Sequence, residues 1–405
     1  MTDTTAKPSS SSTNPHSEAL YKTKSTGNDI LFFSSDDWGW KTSKYHVSTR
    51  LAKQGKVLFI SSIGFRAPTA SSQDMGRIWR KLKSFFKGTT KVHPNLHVLT
   101  PLVIPFQNFP GKNFFNQLLV KAQVAFAMKK LGMHNPLMFV FSQNWYPYIR
   151  SIKRSKCIYY VVDDHSSFKG LNAQQFKEWD RQMCQHADGI LCTSRSLYEQ
   201  KKQYNSKTIN MPHGVDHDNF YRTWDDSVTP NPEMMAMPGP KMLFFGHISY
   251  EWVDVELLSQ CAQLKPDWSW VLVGRNSMAD DEFKNFDNIY YLGEQEFTDL
   301  PNFCKAADVG IIPFIDSGLT RNCNPLKLPE YVTAGLGVVS TPIPSVIELY
   351  SEDAEVARSP EDFVAACERM MARTPADRRI RAEKMSVHSW DNRVARILQH
   401  IEADF

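Results

Sequence analysis

Short runs that are apolar at nearly every position alternate along the chain with longer stretches of helical spacing. The first series of runs is Ile30-Leu31-Phe32-Phe33, Val57-Leu58-Phe59-Ile60, Leu137-Met138-Phe139-Val140-Phe141, Ile158-Tyr159-Tyr160-Val161-Val162 and Gly189-Ile190-Leu191-Cys192. Continuous rather than alternating hydrophobicity predicts strands covered on both faces. Between the runs, residues 113–133 and 172–186 have helical spacing and contain no proline. The alternation predicts parallel βαβ units.

A second series follows: Met242-Leu243-Phe244-Phe245, Trp270-Val271-Leu272-Val273, Ile289-Tyr290-Tyr291-Leu292, Val309-Gly310-Ile311-Ile312 and Val338-Val339-Ser340. The stretch 225–240 between the two series is rich in Pro, Asp and Met, as a linker is. The expected fold class is α/β: two Rossmann-like, doubly wound domains facing a cleft. The predicted divisions are a disordered tail over 1–28, a first domain over 29–215, a linker over 216–237, a second domain over 238–385, and a C-terminal helix over 386–405. That helix carries Trp390, Val394, Ile397 and Ile401 on one face. Ligands of such sheets bind beyond the carboxyl ends of the strands.

Composition narrows the function classes. The 405 residues are enough for two cores, and a net charge of +4 is too small for a dedicated nucleic-acid binder. Seven cysteines stand singly with no Cys-x-x-Cys pair, which reads as reduced cytosolic thiols. No apolar run reaches the length of a membrane span, and the Ser/Thr/Lys-rich first residues lack the apolar core of a signal peptide. A cytoplasmic location is expected, with peripheral attachment to the inner face of the membrane as a further option.

The densest chemistry lies between Ala307 and Pro342. A strand (309–314), a polar loop (315–323), a helix and a second strand (337–341) follow one another. Asn324 suits an N-cap and Pro325 a first helical position. Free N–H groups at a helix start favour a diphosphate, Lys327 adds positive charge, and Glu330 one turn later can accept from ribose hydroxyls. Pro329 would remove a needed N–H from a helix begun at Pro325. A start at Leu328 is the alternative, with 324–327 as a cradle of amides.

Asn324-Pro325-Leu326-Lys327-x-x-Glu330-Tyr331-x-x-Ala334-Gly335-x-x-Val338-Val339-Ser340-Thr341 resembles the donor motif of family 4-type GT-B glycosyltransferases. The similarity is nearest the teichuronic-acid and exopolysaccharide-assembly subgroup. Pro212-His213-Gly214-Val215-Asp216 with Phe220 resembles that family's interdomain linker, with His213 in place of Asn. Phe245-Gly246-His247 and Val273-Gly274-Arg275 resemble its first two nucleotide-domain strand ends, and the Trp390 helix its terminal helix that crosses back to the first domain. The resemblance implies a nucleotide-sugar donor, a UDP-sugar foremost, with no further cofactor and no metal. It places the donor at Gly246, His247, Arg275, Phe297, Asn322, Asn324, Pro325, Leu326, Lys327 and Glu330. Asn322 stands where the family has a glutamate that touches the donor sugar. Arg275 has an interdomain ion pair as its alternative role, and Phe297 a place in the core.

Asp163-Asp164-His165 follows the strand 158–162 and points into the cleft. One carboxylate can deprotonate an acceptor hydroxyl, with His165 orienting it or contacting the donor sugar. The resemblance gives an Asp here that role in an inverting, xanthan-type glucuronosyltransferase. A helix-capping Asp and a divalent-metal site are the alternatives. Asp37, Trp38 and Gly39 sit in the loop after the first strand, where Trp38 and Trp40 can stack on a sugar face or stand as two exposed turn aromatics. Arg77–Lys87 is basic, aromatic and free of acids, so it suits either an anionic membrane surface or a solvated helix packed on the sheet. The run Val98–Pro105, broken by two prolines, is expected as strand and loop near the acceptor cleft. The sequence therefore predicts transfer of a sugar to a glycan or lipid-linked acceptor in cell-surface polysaccharide synthesis. An epimerase on the same scaffold and an inactive GT-B subunit remain as rivals, and retaining or inverting chemistry stays open.

Overall fold

The computed structural model describes residues 28–63, 88–104, 111–165, 172–279 and 281–405. The segment Arg77–Lys87, and the expected tail up to residue 27, lie outside them.

The first sheet has eight strands: β1 Ile30–Phe33, β2 Val57–Ile60, β3 Thr90–His93, β4 Leu96–Leu99, β5 Leu137–Val140, β6 Cys157–Val161, β7 Gly189–Cys192 and β8 Thr208–Asn210. Their spatial order is β3-β4-β2-β1-β5-β6-β7-β8, parallel except for the β3–β4 pair. The central strands are buried at every position, as their unbroken hydrophobicity requires. The short hairpin arm β3, with every residue exposed, is the one antiparallel edge.

The second sheet has six strands: β9 Lys241–Phe245, β10 Ser269–Val273, β11 Ile289–Tyr291, β12 Val309–Ile312, β13 Gly337–Ser340 and β14 Ala354–Val356. They run in the order β11-β10-β9-β12-β13-β14, all parallel. Strand order reverses at β1/β5 in one sheet and at β9/β12 in the other. Ligand sites of open α/β sheets form at such switch points.

The chain passes between the sheets twice at one place. Val215 N–H donates to His388 O at 3.0 Å, and Trp390 N–H donates to Val215 O at 3.0 Å. The helix Trp390–Ala403 then packs Trp390, Val394, Ile397, Leu398 and Ile401 into the core of the first sheet. Asp391 ties it to Arg50 at 2.9 Å and Lys53 at 2.8 Å. Sequence distance thus hides a shared core: residues 390–401 finish a domain that begins at residue 30.

Candidate active site in the interdomain cleft

On the second domain, β9 and β10 end in Gly246 and Gly274, with φ of 140° and 132°. Neither backbone suits a side chain, and a Cβ on Gly274 would lie 2.1 Å from Gly246 O. Lys327 occupies the space above Gly246. Its Nζ would be 3.2 Å from a Cβ there, and sits 4.8 and 4.6 Å from the ring centres of Phe244 and Phe314.

The helix carrying Lys327 begins at Lys327 itself, running to Thr333. Of the two expected starts this favours the later, within one residue of Leu328: Asn324 is not the N-cap and Pro325 is not helical. Asn324 Nδ2 instead donates across the cleft to Thr193 O at 3.0 Å. Pro329 falls in the first turn, where its missing N–H has no intrahelical partner to lose. The supposed polar loop 315–323 contains a helix at Gly318–Asn322, closed by a Ser317/Thr320 capping box.

Glu330 is buried, and no hydrogen bond to its carboxylate is present among the described residues. Burial pushes its pKa up to about 8, against the pull of Lys327. Burial pushes Lys327 down to about 8, against the pull of Glu330. Arg275 is exposed at the end of β10, its guanidinium 5.9 Å from the Trp40 ring of the other domain. His247 is exposed, with its Nε2 2.8 Å from Ser277 Oγ. Leu326 packs on the first domain's core. Phe297 is partly buried, 5.5 Å from Phe220 and 5.4 Å from His46, so its ring is occupied in interdomain packing.

On the first domain, Asp163, Asp164 and His165 follow β6 in the cleft. Burial raises the Asp163 carboxyl above its ordinary range, with Lys44 opposing. Burial lowers His165 to about 3, so its imidazole is neutral at physiological pH. Asp164 Oδ2 accepts from Asn322 Nδ2 at 3.4 Å. Asn322 also accepts from Ser196 Oγ at 2.5 Å and Gln200 Nε2 at 3.1 Å, while its carbonyl accepts from Ser194 Oγ at 2.7 Å. Asn322 thus bridges the domains, as Asn324 does.

The loop after β1 departs from expectation. Asp37 is exposed and Gly39 has φ 117°. Trp38 does not face open space: it packs on Phe59 at 5.1 Å and Tyr45 at 5.2 Å. Trp40 is the exposed tryptophan. The partly buried carboxylate of this loop is Asp36, which pairs with buried Lys44 at 3.2 Å and accepts from Thr42 Oγ1 at 3.0 Å. Burial works to raise Asp36, but Lys44 beside it holds it below the usual carboxylate range. Sequence reasoning missed Lys44. The signal was its helical spacing with Val47, Ser48 and Leu51, which puts it on the buried face.

Among the described residues no group of three or more His, Cys, Asp and Glu is placed to hold a metal ion, and no helix is long and apolar enough to cross a membrane.

Residues 239–373 match the family described as Glycosyl transferases group 1. The TuaH protein of Bacillus subtilis (strain 168), assigned to teichuronic acid biosynthesis as a glycosyltransferase, is 26% identical over 206 residues. That alignment covers 48% of this chain and 51% of TuaH, about half the length of each. Among solved structures, sucrose-phosphate synthase from Thermosynechococcus elongatus superposes with TM-score 0.66 at 14% identity, covering 93% of this chain and 98% of that one. HepE of Anabaena, solved with UDP and glucose, gives 0.61 at 13% identity over 93% and 100%. The E. coli trehalose-6-phosphate protein bound with UDP-2-fluoro glucose gives 0.65 at 12% identity over 93% and 99%. The chain therefore has the GT-B fold, and within it residues 239–373 match Glycosyl transferases group 1.

Proposed function

We propose that this protein is a glycosyltransferase that moves a sugar from a nucleotide-sugar donor to a glycan or lipid-linked acceptor in cell-surface polysaccharide synthesis. One observation carries the reading. Lys327 and the unpartnered, buried Glu330 lie on one helix beside the glycine-ended strands β9 and β10, across a cleft from Asp163, Asp164 and His165.

In this reading the donor diphosphate approaches the backbone at Gly246 and meets the Lys327 ammonium, with Arg275 as a second cation. Glu330 accepts from the ribose hydroxyls. UDP is the nucleotide in the HepE and E. coli structures, and a UDP-sugar is the donor we assign. Transfer breaks the bond from the anomeric carbon to the diphosphate oxygen and forms one to the acceptor oxygen. Negative charge grows on the departing diphosphate, where fixed cations stabilise the transition state more than the ground state. Since Lys327 and Arg275 supply that charge, turnover should survive chelation by EDTA.

The acceptor's proton goes to Asp163. A carboxyl raised by burial is a stronger base than an exposed one, and a protein base for the acceptor is what inversion at the anomeric carbon requires. His165, neutral, hydrogen-bonds the transferring sugar without adding charge.

Thermal shift with a panel of nucleoside diphosphates and nucleotide sugars tests the reading. A specific ligand at a hundred times its Kd adds about 2.7 kcal/mol of stability. A flat response to the whole panel would sink the proposal. Release of nucleoside diphosphate only when an acceptor is present separates transfer from epimerisation.

A further inference from the structure

The helix Lys112–Leu131 is apolar on its outer face as well as its inner one. Its inner face also carries two amides. Buried Asn116 accepts from Ile104 N–H at 2.7 Å and donates to Ile104 O at 3.1 Å. Gln123 makes the same pair with Leu102, both at 2.9 Å. These bonds, with Val120, Val124 and Ala127 in the core, fix the helix's rotation about its axis. The outer face is therefore set, and it is apolar: Phe114, Phe115, Leu118 and Phe126 are 61, 48, 51 and 72% exposed. Isolated exposed apolar residues are ordinary, but four large ones on one helix face form a patch. Exposed Lys121, Lys129 and Lys130 rim it, and the 20-residue helix contains no Asp or Glu.

We propose that this face rests on an anionic lipid surface, with the three phenylalanines and Leu118 among the acyl chains and the three lysines against headgroup phosphates. Protruding aromatics beside lysines on a helix lying flat are the features of interfacial binding. Lysine is depleted in protein–protein interfaces. A two-fold contact between copies would bring the same three lysines together. The helix leads from the carboxyl end of β4 back to the amino end of β5. Phe114, Phe115 and Leu118 thus lie at the end of the sheet where Asp163, Asp164 and His165 lie. Docking this face lays the helix and the strands it packs on along the bilayer, with the cleft mouth opening beside the surface. The surface stands without any catalytic reading; its use, delivery of a lipid-carried acceptor, rests on the transfer proposed above.

Co-sedimentation of the full chain with phosphatidylglycerol/phosphatidylcholine vesicles tests it, with pure phosphatidylcholine as control. Binding to the anionic vesicles at low salt, falling as salt rises, is expected. Joint Phe114→Gln, Phe115→Gln, Leu118→Gln and Phe126→Gln substitution should abolish binding while leaving the melting temperature and UDP binding unchanged. Joint Lys121→Gln, Lys129→Gln and Lys130→Gln substitution should weaken it about 100-fold, at about fivefold per lysine. Absence of binding to anionic vesicles overturns the proposal, as does undiminished binding by the fourfold variant. A concentration-dependent dimer lost in the fourfold variant, without vesicle binding, gives the face to a second copy instead. If the wild type binds vesicles but takes up no nucleotide, the transferase reading fails and the surface survives.

Discussion

Lys327 and Glu330 lie one turn apart on a single helix, and burial moves their ionisation in opposite directions, each to about 8. A cation poised near neutrality makes diphosphate binding pH-dependent. UDP favours the protonated Lys327, so affinity should be constant below pH 8 and fall above it, approaching about tenfold per pH unit. Lys327→Met should weaken UDP by about 10- to 150-fold, the worth of a charge-assisted hydrogen bond of about 1.5–3 kcal/mol, and remove the pH dependence. Isothermal titration calorimetry across pH 7–10 reads both effects. A wild-type affinity flat through this range would rule out Lys327 as the titrating partner of the diphosphate.

The same pair sets the pH dependence of the unliganded fold. Glu330 binds its proton more tightly folded than unfolded, so its contribution is full below its ordinary value of 4.5 and is lost as pH rises through about 8. Lys327 is the reverse: its contribution is full above 10.5 and is lost as pH falls through about 8. Their sum is a stability minimum near pH 8. Glu330→Gln should abolish the decline between 4.5 and 8 while the rise above 8 persists. Urea denaturation at several pH values measures this, and an unchanged decline in the variant would place its source elsewhere.

The strands and the helix Lys327–Thr333 were legible because their signals are local. Unbroken runs such as Ile30–Phe33 and Val309–Ile312 can only be central strands of a covered sheet, and Lys327 and Glu330 declare their shared face by spacing alone. What the sequence did not show is what lies opposite. Asn324 reads as a cap because Asn-Pro usually opens a helix; the nearby Thr193 carbonyl that takes its amide is 131 residues away. Trp38 reads as a free aromatic because Phe59 and Tyr45 are not its chain neighbours. Lys44 was overlooked because a lone lysine in a helix is usually solvated, and its partner Asp36 is fixed by a turn rather than by a period.

Asn322 stands where the sequence resemblance would lead one to expect a glutamate, and its neighbours supply a physical reason for an amide. Its Nδ2 donates to Asp164 and to Gly318 O, while its Oδ1 accepts from Ser196 and Gln200. A glutamate cannot donate, and would set a second carboxylate against Asp164. Asn322→Glu should therefore loosen the interdomain contact most at neutral pH and less at acidic pH, where the carboxyls protonate. Asn322→Ala should cost about 1–3 kcal/mol at any pH, by leaving buried partners unpaired. Small-angle scattering should show a larger radius of gyration for the glutamate variant at pH 7 than at pH 4.5. Equal radii at the two values would mean that charge is not the reason for the asparagine.

Asp163 and Asp164 are adjacent in sequence but face different partners, so their variants should fail differently. Asp164 is held by Asn322 and reaches toward the donor domain, whereas Asp163 is raised by burial near Lys44 and Asp36. If Asp163 takes the acceptor's proton, Asp163→Asn should reduce kcat by about 10²- to 10⁴-fold, the usual worth of a general base, with UDP affinity unchanged. Asp164→Asn keeps the shape and one acceptor atom, so it should act mainly on domain closure, raising the donor KM more than it lowers kcat. The product of the wild type should have the inverted anomeric configuration by NMR. Retention of configuration, or full turnover in Asp163→Asn, would transfer the proton from Asp163 to the departing diphosphate and leave the donor assignments at Lys327 and Glu330 intact.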